Sequence, residues 1–93
     1  MKSIYTMVGM QHKGAKTLVA EMKRGTPLLL RRDQNNPHDF NAVEVWHEGK
    51  HIAFVKGTEV ALLARTMDHK SLLEVPGIFT VTPDRWPQVE VDL

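Results

Sequence analysis

The residues best suited to chemistry in this sequence lie in one turn-forming segment, residues 35–41, which reads NNPHDFN. Asn and Asp side chains bond their own backbone and Pro37 fixes φ, so the segment predicts an ordered surface loop, a common place for function. The Asp39 carboxylate has two possible tasks there. It can accept hydrogen bonds from a ligand, or it can cap backbone amides together with Asn41. The residue types leave both alternatives open.

Enzyme chemistry has little support elsewhere in the chain. There is no cysteine, the only serines are Ser3 and Ser71, and the phosphate-loop, dinucleotide, zinc-protease and hydrolase-elbow motifs are absent. Five histidines raise the alternative of metal-dependent hydrolysis, but a metal site needs converging ligands. His47 and His51 only flank a predicted hairpin turn. We therefore predict a protein that is not an enzyme and holds no metal or cofactor.

The formal net charge is only +1, but the charge is unevenly distributed. Residues 1–32 carry seven Lys and Arg against one acid, and residues 33–50 carry four acids against one lysine. This pattern predicts either a local basic face or ordinary solvated lysines. Trp46 and Trp86 are candidates for base stacking, although packing at the core or its rim is the more common fate of Trp in so small a domain.

The elements that would position these residues are mostly strands. Alternating apolar and polar residues predict strands at 3–10, 27–32, 42–47, 50–55, 72–82 and 88–93, the fifth interrupted at Pro76-Gly77. Residues 58–69 predict a helix with Thr58 as N-cap, and residues 15–24 a shorter helix that ends at Gly25. The 93 residues fit one domain, residues 1–93. We predict a mainly β (α+β) fold, an OB-like or SH3-like barrel of about six strands with one or two flanking helices.

Location is predicted from what the sequence lacks. No apolar run approaches the roughly 18 residues of a membrane span, and the first residues alternate too strongly for a signal peptide. With no cysteine, the expectation is a soluble cytoplasmic protein that makes no membrane contact.

The stretch LLLRRDQNNPHDFNAVEVWHEGKHIAFVKGTEVALLARTMD resembles the core of the HIRAN domain family. The shared pattern is a strand that ends in a charged pair, an Asn-Pro-x-Asp-x-Asn-Ala segment, a strand pair around a Gly turn, and a helix. The segment VGMQHKG resembles the family's first strand, so the resemblance covers about residues 8–68.

This resemblance implies an OB-like barrel that captures the 3′ end of single-stranded DNA. Asp39 matches the family's Asp, which receives the terminal hydroxyl. The other residues implied to bind nucleic acid are Gln11, His12, Arg32, His38, Phe54 and Lys56, as stacking surfaces or phosphate contacts. A protein partner such as a helicase or a nuclease, and a role in DNA repair, are further expectations of the same resemblance.

A second hypothesis keeps the barrel but makes it a protein-interaction module or accessory subunit. Gln11-His12 stands where the family has an Arg-Tyr type of step, and His38 stands where it has a larger aromatic residue. These substitutions and the near-neutral charge favour the second hypothesis. Oligonucleotide binding at low salt distinguishes the two hypotheses, because phosphate contacts weaken as salt rises.

Overall fold

The computed structural model describes residues 1–10 and 14–93. These residues form six strands and two helices in a single mainly β unit. In chain order the elements are β1 (Lys2–Val8), α1 (Ala15–Glu21), β2 (Pro27–Arg32), β3 (Val43–His47), β4 (Lys50–Val55), α2 (Val60–His69), β5 (Glu74–Val81) and β6 (Pro87–Asp92).

The strands close into an antiparallel barrel in the order β1-β4-β3-β2-β5-β6. The barrel fold predicted from the sequence is confirmed, and closure removes the exposed sheet edges that would favour aggregation. Among the described residues the ladder between β1 and β4 is short, with Met7 opposite Val55 and Val8 opposite Phe54. β1 pairs with β6 over five residues.

The hairpin between β3 and β4 follows the prediction closely. Its turn is Glu48-Gly49, with φ of 47° and 80°, the left-handed pair that suits the twist of two strands. The predicted turn at residues 83–87 also forms, since Arg85 N donates to Thr82 O at 2.8 Å.

The core fills the barrel and the space beneath α2. The helix contributes the i, i+3, i+4, i+7 stripe predicted from the sequence, since Val60, Leu63, Ala64 and Met67 are all buried. Burial of this stripe explains why the segment is helical, because it removes one continuous apolar face from water. The largest side chains buried with it are Phe79, Met7, Leu30 and Ile52.

The predicted interruption of β5 at Pro76-Gly77 is wrong. The strand runs through both residues, with Pro76 opposite Leu29 and Gly77 opposite Leu28. Gly77 occupies its position because there is no room for a side chain. A Cβ there would lie 2.6 Å from Leu30 Cδ1 and 2.7 Å from a Val89 methyl carbon.

Both helices are shorter than predicted. α1 ends at Glu21 rather than Arg24, and Gly25 lies beyond it in a turn with φ of 89°. α2 begins at Val60 with Glu59 as its N-cap, so the assignment of Thr58 is wrong. No side chain caps α2, because the Glu59 carboxylate bonds β1 instead. Within the described residues, neither helix has the length and apolarity that a membrane crossing requires.

Candidate functional site

The loop between β2 and β3 is held in shape by its own short polar side chains. Asn36 Oδ1 accepts from the backbone N–H of His38 at 2.9 Å and of Asp39 at 3.1 Å. Asn36 Nδ2 donates to Asp33 Oδ2 at 3.3 Å, and Asp33 Oδ1 accepts from Asn35 N at 3.2 Å. These are the Asx-type bonds expected of the sequence, and they give the loop a defined conformation without a ligand.

Asp39 uses its two carboxylate oxygens differently. Oδ1 accepts from Asn41 N at 2.9 Å, which is the capping role. Oδ2 faces the start of the segment that leads into α2, where a Cβ placed on Gly57 would lie 3.9 Å away. No described residue donates a hydrogen bond to Oδ2, so this oxygen retains its capacity to accept one. The sequence left capping and ligand binding as alternatives, and the geometry allows both at once.

The segment facing Asp39 is fixed to β1. Glu59 accepts from Thr6 N with one carboxylate oxygen and from Thr6 Oγ1 with the other, both at 2.8 Å. Lys56 N donates to Thr6 O at 2.9 Å. The Lys56 side chain is exposed. An exposed ammonium therefore stands on a hydrogen-bonded backbone next to Gly57, the residue that Asp39 faces.

Phe54 lies beside the same segment, two residues before Lys56. It is half-buried and pairs with Val8 across the short β1–β4 ladder. Gly9 approaches its ring closely, since a Cβ on Gly9 would lie 3.2 Å from Phe54 Cδ2. Gly9 has φ of 74°, so both its conformation and this contact favour glycine.

The barrel surface beyond Phe54 carries a row of rings with internal partners. The His51 ring meets Phe54 edge-on at 4.6 Å and stacks on Trp46 at 5.6 Å between centroids. The Arg31 guanidinium lies 4.3 Å from the Trp46 centroid, and the indole N–H donates to Glu44. Trp46 is thus a packing residue, as expected. Trp86 differs, because half of its surface is exposed.

Arg32 is buried rather than directed to solvent. Its side chain is 4% exposed, Nε and Nη2 bond the two Asp68 oxygens, and Nη1 donates to the carbonyls of Asp33 and Ala42. The expected phosphate contact is not accessible to this guanidinium. Arg32 instead joins both ends of the β2–β3 loop to the C-terminal end of α2.

Asp68 is correspondingly stabilised as a carboxylate. Hydrogen bonds from Arg32 lower the pKa of Asp68 below its ordinary value, with smaller contributions from the Gln34 hydrogen bond and the Arg32 charge, against an opposing effect of desolvation. Asp68 is therefore a carboxylate at neutral pH, and its hydrogen bonds with Arg32, where the β2–β3 loop begins, are charge-assisted.

The remaining predicted residues are placed as follows. Gln11 and His12 lie outside the described residues. His38 is exposed beside Asp39. Within residues 1–10 and 14–93, no three His, Asp or Glu side chains converge in a way that would hold a metal ion.

The loop also contains an aromatic residue that is not among the predicted binding residues. Phe40 follows Asp39 directly, and its side chain is 74% exposed. The signal was present in the sequence, because a Phe inside a dense turn segment has no strand or helix face on which to pack. The loop thus presents an imidazole and a phenyl ring on either side of the carboxylate in the chain.

Comparison with known proteins identifies the family. The model of the HIRAN domain matches residues 2–90. The chain belongs to the HIRAN domain family. HIRAN domains are known as DNA-binding modules, and the domain is a binding unit rather than a catalytic one. No curated protein gives a significant match to the sequence.

Two solved structures share the fold of this chain. The HIRAN domain of human HLTF matches with a TM-score of 0.71 and 22% identity, over 96% of this chain and 71% of that chain. A protein from Lactobacillus plantarum matches with a TM-score of 0.69 and 20% identity, over 99% of this chain and 100% of that chain. Both likenesses support the barrel architecture.

Proposed function

We propose that this HIRAN domain binds the 3′ end of single-stranded DNA at the β2–β3 loop, with Asp39 accepting a hydrogen bond from the terminal hydroxyl. The observation that carries the proposal is the open Asp39 Oδ2, held towards Gly57 while Oδ1 is fixed by Asn41 N. An acceptor that is preorganised in this way loses little freedom when a ligand arrives.

A carboxylate at this position would distinguish a free end from a phosphorylated one. It accepts a hydrogen bond from a hydroxyl, but it repels a phosphate. Two like charges about 4 Å apart interact by about 1 kcal/mol in water and about 4 kcal/mol near a protein surface. Since about 1.4 kcal/mol corresponds to a factor of ten, a repulsion near the lower end of this range gives a preference of about tenfold for the hydroxyl end.

The side chains around Asp39 could bind the nucleotides that precede the 3′ end, by base stacking and by a phosphate contact. His38 and Phe40 offer exposed rings beside Asp39, and Phe54 offers a half-buried one. Stacking on an aromatic ring contributes about 1–3 kcal/mol per base and tolerates any sequence. Lys56 supplies a cation for a phosphate, and Gln11 and His12 remain part of the proposed contact set. Arg32 is proposed to position the loop and not to touch the ligand.

The decisive experiment is a fluorescence-anisotropy titration with 5′-labelled oligo(dT)10 that carries either a 3′-hydroxyl or a 3′-phosphate. The domain should prefer the hydroxyl end about tenfold, and Asp39→Asn should remove the preference. Asn can still accept from Asn41 N, so the loop is retained while the charge is lost. Glu48→Gln, which changes an exposed acid in the β3–β4 turn, is the matched control.

The outcomes separate the parts of the proposal. Equal affinity for both ends in the unmodified chain would exclude end recognition. Absence of binding to any oligonucleotide at low salt would exclude the nucleic-acid function itself. Lys56→Ala should lower the affinity for the 3′-hydroxyl and the 3′-phosphate oligonucleotides alike. It should also reduce the slope of log K against log salt by about 0.7, the value for one phosphate contact to a single strand.

A second candidate, the protein-interaction module, is favoured by a separate surface, an apolar groove beside Trp86. It can coexist with DNA binding, since Asp39 does not line this groove. A helicase or nuclease as the protein partner stays a prediction, as do a role in DNA repair and a cytoplasmic location.

A further inference from the structure

An apolar groove lies between α1 and the turn that joins β5 to β6. Its volume is about 430 Å³, and its walls include Met10, Met22, Val81 and Trp86. Lys16 and Arg85 also line it, and we call this surface the Trp86 groove. It is large enough for a bulky side chain and shares none of its described lining with the Asp39 loop.

The Trp86 side of the groove is held in place by its turn. Thr82 N donates to Trp86 O at 3.0 Å, and Trp86 N donates to Thr82 Oγ1 at 2.9 Å. The Thr82 hydroxyl bonds in turn to the Asp84 carboxylate. Arg85 has φ of 68°, an unfavourable conformation for a residue with a side chain, and the closed turn maintains it. The half-exposed indole is therefore presented on a fixed backbone.

The two charged side chains that line the groove, Lys16 and Arg85, are both cations. Neither Lys16 nor Arg85 has an ion-pair partner among the described residues, and no described acid lines the groove. Arg31 and Arg32 contrast with them, because each is paired with a carboxylate on the protein. The rim therefore complements a ligand that carries negative charge close to an apolar group.

The walls favour an apolar side chain over a nucleotide base. Besides the two cations and the indole N–H, the side chains that line the groove are apolar. A base inserted there would leave most polar atoms of its edge without partners, which opposes binding. An aliphatic or aromatic side chain carries no such groups, and the two methionines can adjust to its shape.

We propose that the Trp86 groove binds an acidic peptide segment of a partner protein. One bulky apolar side chain of the peptide fills the groove beside Trp86, and its flanking carboxylates pair with Lys16 and Arg85. This is an apolar anchor with a charged rim, the arrangement expected of a small, transient protein interface. The inference goes beyond DNA binding and does not depend on it.

The first test pans a display library of random 12-residue peptides on the immobilised chain, with the Trp86→Ala variant as the counter-target. Enrichment of peptides that combine Asp or Glu with a bulky apolar residue, and that do not bind the variant, supports the proposal. Enrichment of basic or neutral peptides, or of none that depend on Trp86, overturns it. Trp86 is half exposed, so the variant is expected to fold, and circular dichroism checks this.

The second test titrates the best enriched peptide, labelled with fluorescein, against charge-reversal variants. Lys16→Glu and Arg85→Glu should each weaken binding about tenfold, because each converts an attraction into a repulsion. The matched control is Lys70→Glu, which changes an exposed lysine just after α2 and should have no effect. Equal affinity for all variants overturns the assignment of the rim.

The third test keeps this proposal separate from DNA binding. Asp39→Asn should bind the peptide as well as the unmodified chain does. If Trp86→Ala instead lowers the affinity for labelled oligo(dT)10 about tenfold while no peptide depends on Trp86, the groove belongs to the path of a nucleic acid and the peptide proposal fails.

Discussion

Arg32 and Asp68 meet side by side as a guanidinium and a carboxylate joined by two hydrogen bonds. Nε lies 2.9 Å from Oδ1, and Nη2 lies 3.1 Å from Oδ2. The remaining Arg32 nitrogen, Nη1, donates to Ala42 O at 3.0 Å and to Asp33 O at 3.2 Å. One side chain therefore connects β2, both ends of the candidate binding loop and the end of α2.

Replacing Arg32 with lysine should destabilise the fold although the charge is conserved. An ammonium cannot form the two-bond fork and reach both loop carbonyls, so buried acceptors lose their donors. We expect a loss of about 1–3 kcal/mol in the free energy of unfolding, measured by urea denaturation. Arg65→Lys is the matched control, because Arg65 is exposed on α2. An Arg32→Lys chain as stable as this control would contradict the structural role.

The Arg32–Asp68 pair should also contribute to acid sensitivity. The hydrogen bonds from Arg32 lower the pKa of Asp68 below its ordinary value of 3.8. A carboxyl whose pKa is lower in the folded chain stabilises the fold above its unfolded pKa, and this stabilisation is lost as pH falls through the folded pKa. We therefore expect the unfolding free energy to fall below about pH 4.

Asp68→Asn isolates this contribution. The variant should be less stable than the unmodified chain at pH 7. The difference should shrink as pH falls through the lowered pKa of Asp68, because a protonated Asp68 and the asparagine that replaces it are both uncharged. Thermal melts at several pH values measure it. Asp92→Asn is the comparison, because the N-terminal ammonium also lowers the pKa of Asp92. That ion pair is exposed, so the stability of Asp92→Asn should differ less from that of the unmodified chain. A constant difference across pH would contradict this assignment.

A side chain at Gly77 should destabilise the fold. In Gly77→Ala the new Cβ meets Leu30 Cδ1 and a Val89 methyl at less than 3 Å, so core residues must shift. Overpacking of this kind costs about 1–3 kcal/mol. Gly57→Ala is the matched control, because its Cβ would meet nothing closer than Asp39 Oδ2 at 3.9 Å. Urea denaturation should show a lower free energy of unfolding for Gly77→Ala. For Gly57→Ala the free energy of unfolding should change little or rise slightly.

The parts of this fold that depend on local patterns could be predicted from the sequence. The predicted bounds of β2 and β4 coincide with the observed ones, and the apolar stripe predicted for α2 is buried. These features follow from periodicities of two and 3.6 residues, which neighbouring residues determine. The Asn36 turn was likewise foreseeable, because its bonds reach only two or three residues along the chain.

The features that the sequence did not reveal depend on partners far away in the chain. Arginine is usually found at the protein surface. Arg32 can be buried because its guanidinium bonds Asp68, which lies 36 positions later in the chain. Glu59 fails to cap its helix because it bonds Thr6, 53 positions earlier. From the sequence alone, Gly77 suggests the interruption of a strand. Its contact with Leu30 explains why a glycine is needed within the strand instead. At the candidate site, the direction of Asp39 Oδ2 is likewise defined relative to a distant residue, Gly57.

The exposed ring of Phe40 should contribute to ligand binding while contributing little to stability. A side chain that is 74% exposed makes few contacts that folding could use, so Phe40→Ala should change the free energy of unfolding by less than about 0.5 kcal/mol. If the ring stacks on a base beside the end held by Asp39, its removal costs about 1–3 kcal/mol of binding, or roughly fivefold or more in Kd. Anisotropy with labelled oligo(dT)10 measures the affinity, and urea denaturation of the same samples measures the stability.

Leu73→Ala is the control for Phe40→Ala, because Leu73 is another exposed apolar residue but lies outside the Asp39 loop. Its affinity for the oligonucleotide should equal that of the unmodified chain. Phe40→Tyr should retain most of the affinity, since it keeps the aromatic face on which a base can stack. An alanine variant that binds as tightly as the tyrosine variant would remove Phe40 from the interface and leave stacking to His38 and Phe54.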